Sequence, residues 1–506
     1  MPYPSQPGGH MRHAITAACC LAVLLVFSAT SAKAQAGNLT VLDTLETPAA
    51  NRLAQWIIVL NSGDAERWKA YADRDVNPTA DSAESAQQRF GAFQMLHAEI
   101  GGATPLVVEE SEPYRCRAIL QAHNPMAPDE FFAFGITVDS TPPHQTLRLS
   151  MMPARDPNLE IPEGPLNPEQ IAELIDTYVR QQAADDRFSG AVLLAKDGNV
   201  IYESAFGEAS KRYHVANKID TKFNLGSMNK MFTGVAVCQL AEQGKLKFTD
   251  TVGDFLPEYP NEQVRTSVTI HQLLTHTSGL DSYWEEIFDT KYWKIRTVQE
   301  IADLFAEKPL LFAPGERFRY SNSGPIVLGL IIEAITGQSY YEYIREHVTG
   351  PAGMINTDCY AIDHPVENLA IGYTHMNYDG QPVRDQWFNN LFHHSVMGGP
   401  AGGGYSTVGD LLRFHRALAD NTLLSPAYTD TLLAGKVDMG EDMQYAYLFS
   451  DRNNNGHRVV GHNGGAPGIS AILRMYRDDG YTVAVLANYD RSAGQVARFV
   501  EDLIVR

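Results

Sequence analysis

The sequence predicts a chain of two α+β domains. The first is small; in the second, an antiparallel sheet assembled from both ends of the domain carries flanking helices and a mostly helical insertion. Three observations carry that expectation. Strand-like runs appear near 189–203 and do not return until 458–488, with helical patterning between them. An apolar helical stripe stands at each end of that stretch, Ile171, Leu174, Ile175, Tyr178 and Val179 at one and Val496, Phe499, Val500, Leu503 and Ile504 at the other. Residues 153–166, with Pro153, Pro157, Pro162 and Pro165 and no sustained periodicity, read as a linker before it.

Length and composition agree with a multidomain globular chain: 506 residues, 44% hydrophobic, are enough for more than one large core. The N-terminus reads as a secretory signal over residues 1–34. Arg12 and His13 precede an apolar run from Ala14 to Phe27, and small residues lead to cleavage near Ala34 or Ala36. The expected location is therefore periplasmic or extracellular. No later stretch is long and apolar enough to read as a membrane span. A formal net charge of −20 argues against nucleic acid or anionic membrane as a partner. Of the five cysteines, Cys116, Cys238 and Cys359 lie beyond the signal, too few and too scattered for a disulfide framework, although one bridge stays open. The histidines lack metal-ligand spacing, so no metal or other cofactor is expected.

Residues 40–152 read as the small domain. Leu53, Trp56, Ile57 and Leu60 form one helical stripe, and Phe90, Phe93 and Leu96 another. Strands are expected over 106–110, 114–121, 131–138 and 145–152. Helices followed by a run of strands imply helices packed across a curved antiparallel sheet. In this order the segment is similar to the NTF2-like cone fold, a likeness of pattern rather than motif.

Residues 167–506 form the second domain. Asn167 caps its first helix, with Pro168 at the first position and Gln170 completing a capping box. A hairpin over 189–203 turns at Asp197-Gly198. Strands near 458–461, 469–476 and 482–488 are expected to complete the sheet, with 208–455 largely helical and a ligand cleft between the two regions. The segment from Met231 to Leu240 is apolar nearly all round, which marks a buried core helix.

Ser227-Met228-Asn229-Lys230 stands where the short run Phe223-Asn224-Leu225-Gly226 turns into that helix. Three residues is nearly one helical turn, so the Ser227 hydroxyl and the Lys230 amine are expected to face each other. Two triplets follow in order, Tyr320-Ser321-Asn322 at a spacing of 93 residues and His462-Asn463-Gly464 at a further 142. This set resembles the serine β-lactamase and penicillin-binding-protein superfamily, whose members combine Ser-x-x-Lys with Tyr-x-Asn or Ser-x-Asn and with Lys-x-Gly or His-x-Gly. The resemblance implies a β-lactamase/transpeptidase-like fold, with Ser227, Lys230 and Tyr320 as catalytic residues. It also implies Asn322 and His462 in substrate binding, and an oxyanion hole from the backbone N–H groups of Ser227 and Gly465, with Gly464 and Gly465 allowing close backbone approach.

A serine needs a base within hydrogen-bond reach. Lys230 qualifies if burial lowers its pKa. Tyr320 qualifies if a neighbouring ammonium favours its phenolate, and the choice stays open at this point. His462 is expected to hydrogen-bond Tyr320 or a polar group of the substrate. Two further stretches resemble the same superfamily, Leu273–Leu280 and Pro400–Thr407; His276 in the first reads as scaffold. The implied activity is a secreted serine hydrolase that acts through an acyl-enzyme on an ester or a D-amino-acid amide. A D-alanyl-D-alanine carboxypeptidase or β-lactamase is the catalytic alternative. A ligand-binding protein, with the N-terminal domain as its ligand module and a silent hydrolase domain, is the alternative of another class; a homo-oligomer formed through the N-terminal domain is a separate expectation. The His-x-Gly triplet lacks the permanent cation of Lys-x-Gly, which weighs against strong β-lactam hydrolysis.

Overall fold

The computed structural model describes residues 41–42, 45–76, 90, 93–94, 96–97, 100–123, 131–283, 294–377, 383, 386–440 and 443–505. The signal-peptide expectation over 1–34 lies outside these residues. The chain divides into two compact units, with the boundary between Met152 and Pro153.

In the first unit, helices α1 (Pro48–Ser62) and α2 (Ala65–Asp75) precede four strands, β1 (Ala103–Ser111), β2 (Arg115–Ala122), β3 (Phe131–Val138) and β4 (Thr146–Ala154). The sheet runs in chain order, β1-β2-β3-β4. Thr47 caps α1 by accepting from the Ala50 N–H, and Asp64 caps α2. The stripe Leu53, Trp56, Ile57 and Leu60 is buried against alternate residues of the sheet, with Trp56 stacked on Phe134 at 4.2 Å. Phe93 of the second expected stripe is buried in the same core, with Phe90 and Leu96 packed at its margin.

In the second unit, α3 (Pro168–Ala184) carries the capping box of Asn167 and Gln170. It leads into β5 (Gly190–Lys196) and β6 (Asn199–Phe206). The helices α4 (Asn229–Glu242), α5 (Ser323–Thr336) and α6 (Val408–Ala419) follow. After them come strands β7 (Val437–Gly440), β8 (Met443–Tyr445), β9 (Ser450–Asn454), β10 (His457–Ala466), β11 (Ile469–Tyr476) and β12 (Tyr481–Ala487), and finally α7 (Ser492–Ile504). These strands make one eight-stranded sheet in the order β7-β8-β9-β10-β11-β12-β5-β6. Both ends of the unit thus meet at the pairing of β12 with β5.

Alternation places each sheet residue on one of two cores. Val192 and Leu194 of β5 and Val483 and Val485 of β12 face α3 and α7, where Tyr178 stacks on Phe499 at 4.2 Å. Ala191, Leu193, Ala484 and Leu486 face the other way, into the core built around α4, α5 and α6. Covered on both faces, β5 reads as an unbroken apolar run, Gly-Ala-Val-Leu-Leu-Ala.

Two expectations change. The region taken as largely helical to residue 455 gives up 437–454 to the sheet as β7, β8 and β9. Those strands are short, at four, three and five residues, and the last of them, Ser-Asp-Arg-Asn-Asn, is wholly polar, so they lack the β-branched alternation that marks a strand in sequence. The linker 153–166 is no free tether, because Leu159, Ile161 and Leu166 pack onto the core under α3 and α7, and Arg155 pairs with Asp502 at 3.5 Å.

Candidate active site

Ser227 sits in a single 3₁₀ turn, Gly226–Met228, between the short strand Phe223–Asn224 and α4. Gly226 has φ +50°, a backbone conformation that favours glycine, and its N–H donates to Asn224 Oδ1 at 2.9 Å. The glycine run 402–404 holds the same turn. Leu225 N–H donates to Gly404 O at 2.7 Å, and Gly403 N–H donates to Gly226 O at 3.2 Å. The stretch Pro400–Thr407 therefore seats the Ser227 turn directly.

Every residue of α4 from Asn229 to Ala241 is buried, so Lys230, one turn after the serine, is carried into the interior with no surface exposed. Its Nζ lies 3.1 Å from Ser227 Oγ, 2.8 Å from Asn322 Oδ1 and 2.6 Å from Ala401 O. None of these partners is charged. Burial holds the Lys230 amine well below its ordinary pKa. The two carbonyl-type oxygens can only accept, so they take two amine hydrogens, and the remaining position on a neutral Nζ points its lone pair at the Ser227 hydroxyl.

Asn322 occupies the N-cap position of α5 but makes no capping bond. Its amide is turned to Lys230 through Oδ1 and to Ser282 Oγ, at 3.3 Å, through Nδ2. Tyr320, two residues earlier, shares a hydrogen bond with Ser227, and its ring lies 4.9 Å from Lys230 Nζ. The residue as a whole is 39% exposed. The protein packed around its hydroxyl nevertheless raises its pKa above the ordinary value, with the Ser227 bond opposing. Of the two bases left open, burial favours a neutral Lys230 and works against the lysine charge that a Tyr320 phenolate would need.

The strand β10 brings the third triplet. Its pairing with β9 ends at Gly461, so 462–466 pair with β11 alone and the other edge of the strand is left to the serine turn. There the backbones touch. A Cβ on Gly464 would stand 1.8 Å from Leu225 O and 3.1 Å from Ser227 N, and one on Gly226 would stand 2.9 Å from Gly465 N. The structure thus brings Ser227, Lys230, Tyr320, Asn322, Gly464 and Gly465 together. His462 is adjacent, its ring 6.4 Å from that of Tyr320. Its nitrogens are taken by Tyr445 Oη at 3.0 Å and Asn463 O at 2.5 Å, so the expected bond to Tyr320 is not formed. Burial, with Lys230 nearby, lowers its pKa to about 3.

Sequence reasoning missed Ala401, which acts through its carbonyl, and Tyr445, which lies in a strand it did not foresee. His276, read as scaffold, is the support behind Tyr320. It accepts from Arg319 N–H at 2.9 Å through its carbonyl and from Ser321 N–H at 3.3 Å through Nδ1, and its ring packs 4.4 Å from that of Tyr320. Among the described residues, no group of three or more His, Cys, Asp or Glu side chains is placed to hold a metal ion, and no helix is long and apolar enough to cross a membrane.

Comparison with known proteins matches this unit. "Penicillin-binding protein 4*" of Bacillus subtilis (strain 168) is 32% identical over 314 residues, covering 60% of this chain and 68% of the relative. The solved structure of a penicillin binding protein from Bacillus halodurans is 33% identical at a TM-score of 0.59, covering 64% of this chain and 99% of that one. A D-stereospecific amidohydrolase from Streptomyces sp., 24% identical at a TM-score of 0.55 and covering 65% and 97%, shares the fold. The Beta-lactamase family matches residues 175–504, the stretch that builds the sheet and every residue around Ser227; the chain belongs to that family and is a serine hydrolase.

Proposed function

We propose that Ser227 forms the acyl-enzyme with Lys230 as its base, on a neutral ester or a D-amino-acid amide. The observation that carries this reading is the fully buried Lys230 amine, 3.1 Å from Ser227 Oγ with two of its hydrogens already taken by Asn322 and Ala401. The Ser227 O–H donates to the neutral amine and its oxygen bonds to the substrate carbonyl carbon. The resulting oxyanion lies toward the backbone N–H groups of Ser227 and Gly465. Tyr320, a neutral phenol, gives its proton to the leaving oxygen or nitrogen as that bond breaks, and is reprotonated from the Lys230 ammonium through the Ser227 site. Water then enters and loses a proton to Lys230 as its oxygen bonds to the acyl carbon; the bond from that carbon to Ser227 Oγ breaks, the acid leaves, and the Lys230 ammonium returns the proton to Oγ.

The penicillin-binding relatives support a second catalytic reading, a D-alanyl-D-alanine carboxypeptidase or β-lactamase. The absence of a charged side chain on His462 weighs toward the neutral substrate. The leader-like residues 1–34 support secretion to the periplasm or beyond. The α1–α2 pair packed on a four-stranded antiparallel sheet supports an NTF2-like first domain.

Ser227→Ala tests the core of the proposal. Turnover of an activated p-nitrophenyl ester is expected to vanish, together with the mass increment left by a fluorophosphonate on the intact protein. Unchanged turnover in that variant removes Ser227 from the mechanism. Rates of the wild-type protein on the ester, a D-Ala-D-Ala peptide and a chromogenic cephalosporin rank the substrate classes.

A further inference from the structure

A chain of polar groups stands beside Ser227 that the steps above do not use. His276, Tyr445 and His462 come from three separated segments and are 1%, 3% and 7% exposed. The Tyr445 hydroxyl lies 3.0 Å from His276 Nε2 on one side and 3.0 Å from His462 Nε2 on the other.

The backbone fixes the direction of each bond. Ser321 N–H donates to His276 Nδ1, so that nitrogen holds the lone pair and Nε2 carries the hydrogen. His462 Nδ1 faces Asn463 O, which can only accept, so here Nδ1 carries the hydrogen and Nε2 the lone pair. Tyr445 must therefore accept from His276 and donate to His462. A proton added to His462 Nε2 would meet the Tyr445 hydrogen, and that hydrogen, turned away, would meet the N–H of His276. One buried donor would lose its acceptor, which is costly where water cannot replace it.

Among the described residues, the groups acting on His462 include no anion to favour its charge. The groups that face it are Lys230 of α4, Tyr320, His276 and Tyr445 of β8; Arg474 of β11 opposes a charge, and so does Lys230 once it has taken a proton. The Arg474 guanidinium is directed to Asn463 and Glu501, on the opposite face of β10 from His462 by strand alternation. Near Tyr320, Arg319 is paired with Asp281 at 3.8 Å.

We propose that Tyr445 is a positioning residue that locks His462 as a neutral imidazole, so that the strand beside Ser227 presents no cation and the site selects acyl donors whose acyl chain carries no carboxylate. This deepens the ester or amide reading and rests on it.

The test uses the full chain and two esters of equal leaving group, p-nitrophenyl butyrate and mono-p-nitrophenyl glutarate. Wild-type protein is expected to favour the neutral ester in kcat/KM by about tenfold or more. The difference should lie in KM, and the ratio should be constant between about pH 6 and pH 8. In Tyr445→Phe the ratio should shift toward the glutarate by about threefold or more as pH falls across that range, because His462 can then take a proton. Thermal unfolding establishes that the variant is folded. A second arm needs the wild-type protein alone: ¹⁵N-histidine spectra, with His462 assigned by its loss in His462→Gln, are expected to show a non-titrating Nδ1–H tautomer.

An Nε2–H tautomer, a His462 that titrates in wild type, a wild-type preference for the glutarate, or a pH-constant ratio in folded Tyr445→Phe would each overturn the lock. Ester turnover that survives Ser227→Ala overturns the acyl-enzyme reading instead, so the two failures are distinguishable.

Discussion

Lys230 has none of its surface open to water, and the polar atoms around its amine are a hydroxyl, an amide oxygen and a peptide carbonyl, none of which balances an ammonium. Burial therefore lowers its pKa well below the ordinary 10.5, which makes the residue useful as a base and costly to the fold. The sign of that cost follows from proton counting. Between the lowered native value and 10.5, the unfolded chain binds a proton that the native chain does not, so stability rises with pH through that window. Relative to Lys230→Met, which does not titrate, wild-type unfolding free energy is expected to gain steadily as pH is raised toward 10.5, and to lose that gain as pH falls through the native value. Chemical denaturation of both proteins across a pH series measures it. A flat difference would mean an ordinary, solvated lysine. The capping position of Asn322 shows the same trade: its side chain serves Lys230 and leaves the first turn of α5 without its cap.

At the scale of elements, the site is a junction of a turn and a strand with no room for a side chain between them. A methyl on Gly464 would fall 1.8 Å from Leu225 O, so the strand or the serine turn would have to move, and with it the backbone N–H groups of Ser227 and Gly465 that the proposed mechanism uses as the oxyanion hole. Gly464→Ala is expected to lower kcat by about a hundredfold or more. Gly465→Ala, whose methyl would have its nearest neighbour at 3.9 Å, should cost far less. Steady-state kinetics on one activated ester compares them, and equal losses would refute the packing argument. The motif glycines were visible in sequence, but only the contact with Leu225 separates the indispensable one from its neighbour.

At the scale of the whole molecule, the cores of the second unit close among its own residues. The sheet joins β12 to β5, and α3 and α7 cover one face of it while α4, α5 and α6 cover the other. Residues 153–506 produced alone are therefore expected to unfold cooperatively and to hydrolyse p-nitrophenyl butyrate with a kcat/KM within about threefold of the full chain, as an independent domain should. Loss of folding or of activity in that fragment would give the first unit a part in the site. Removal of Ser492–Ile504 should instead abolish folding, since Val496, Phe499, Val500 and Leu503 are buried in the core beneath it.

The chain by itself determined the elements whose periodicity is strong. The stripes of α1, α3 and α7 and the apolar runs of β5, β11 and β12 repeat the geometry of helix and strand residue by residue, and the ordered Ser-x-x-Lys, Tyr-x-Asn and His-x-Gly triplets marked the positions that meet. Short polar strands such as β9 were hidden, because their pairing partners rather than their own side chains make them strands. Tertiary structure alone decided the surroundings that set ionisation and hydrogen-bond direction: the burial that lowers the pKa of Lys230 and raises that of Tyr320, and the backbone partners of His276 and His462. Folding brings to Lys230 a carbonyl from 171 residues and an amide from 92 residues along the chain, and to His276 a hydroxyl from 169, relations that no local pattern in the sequence records.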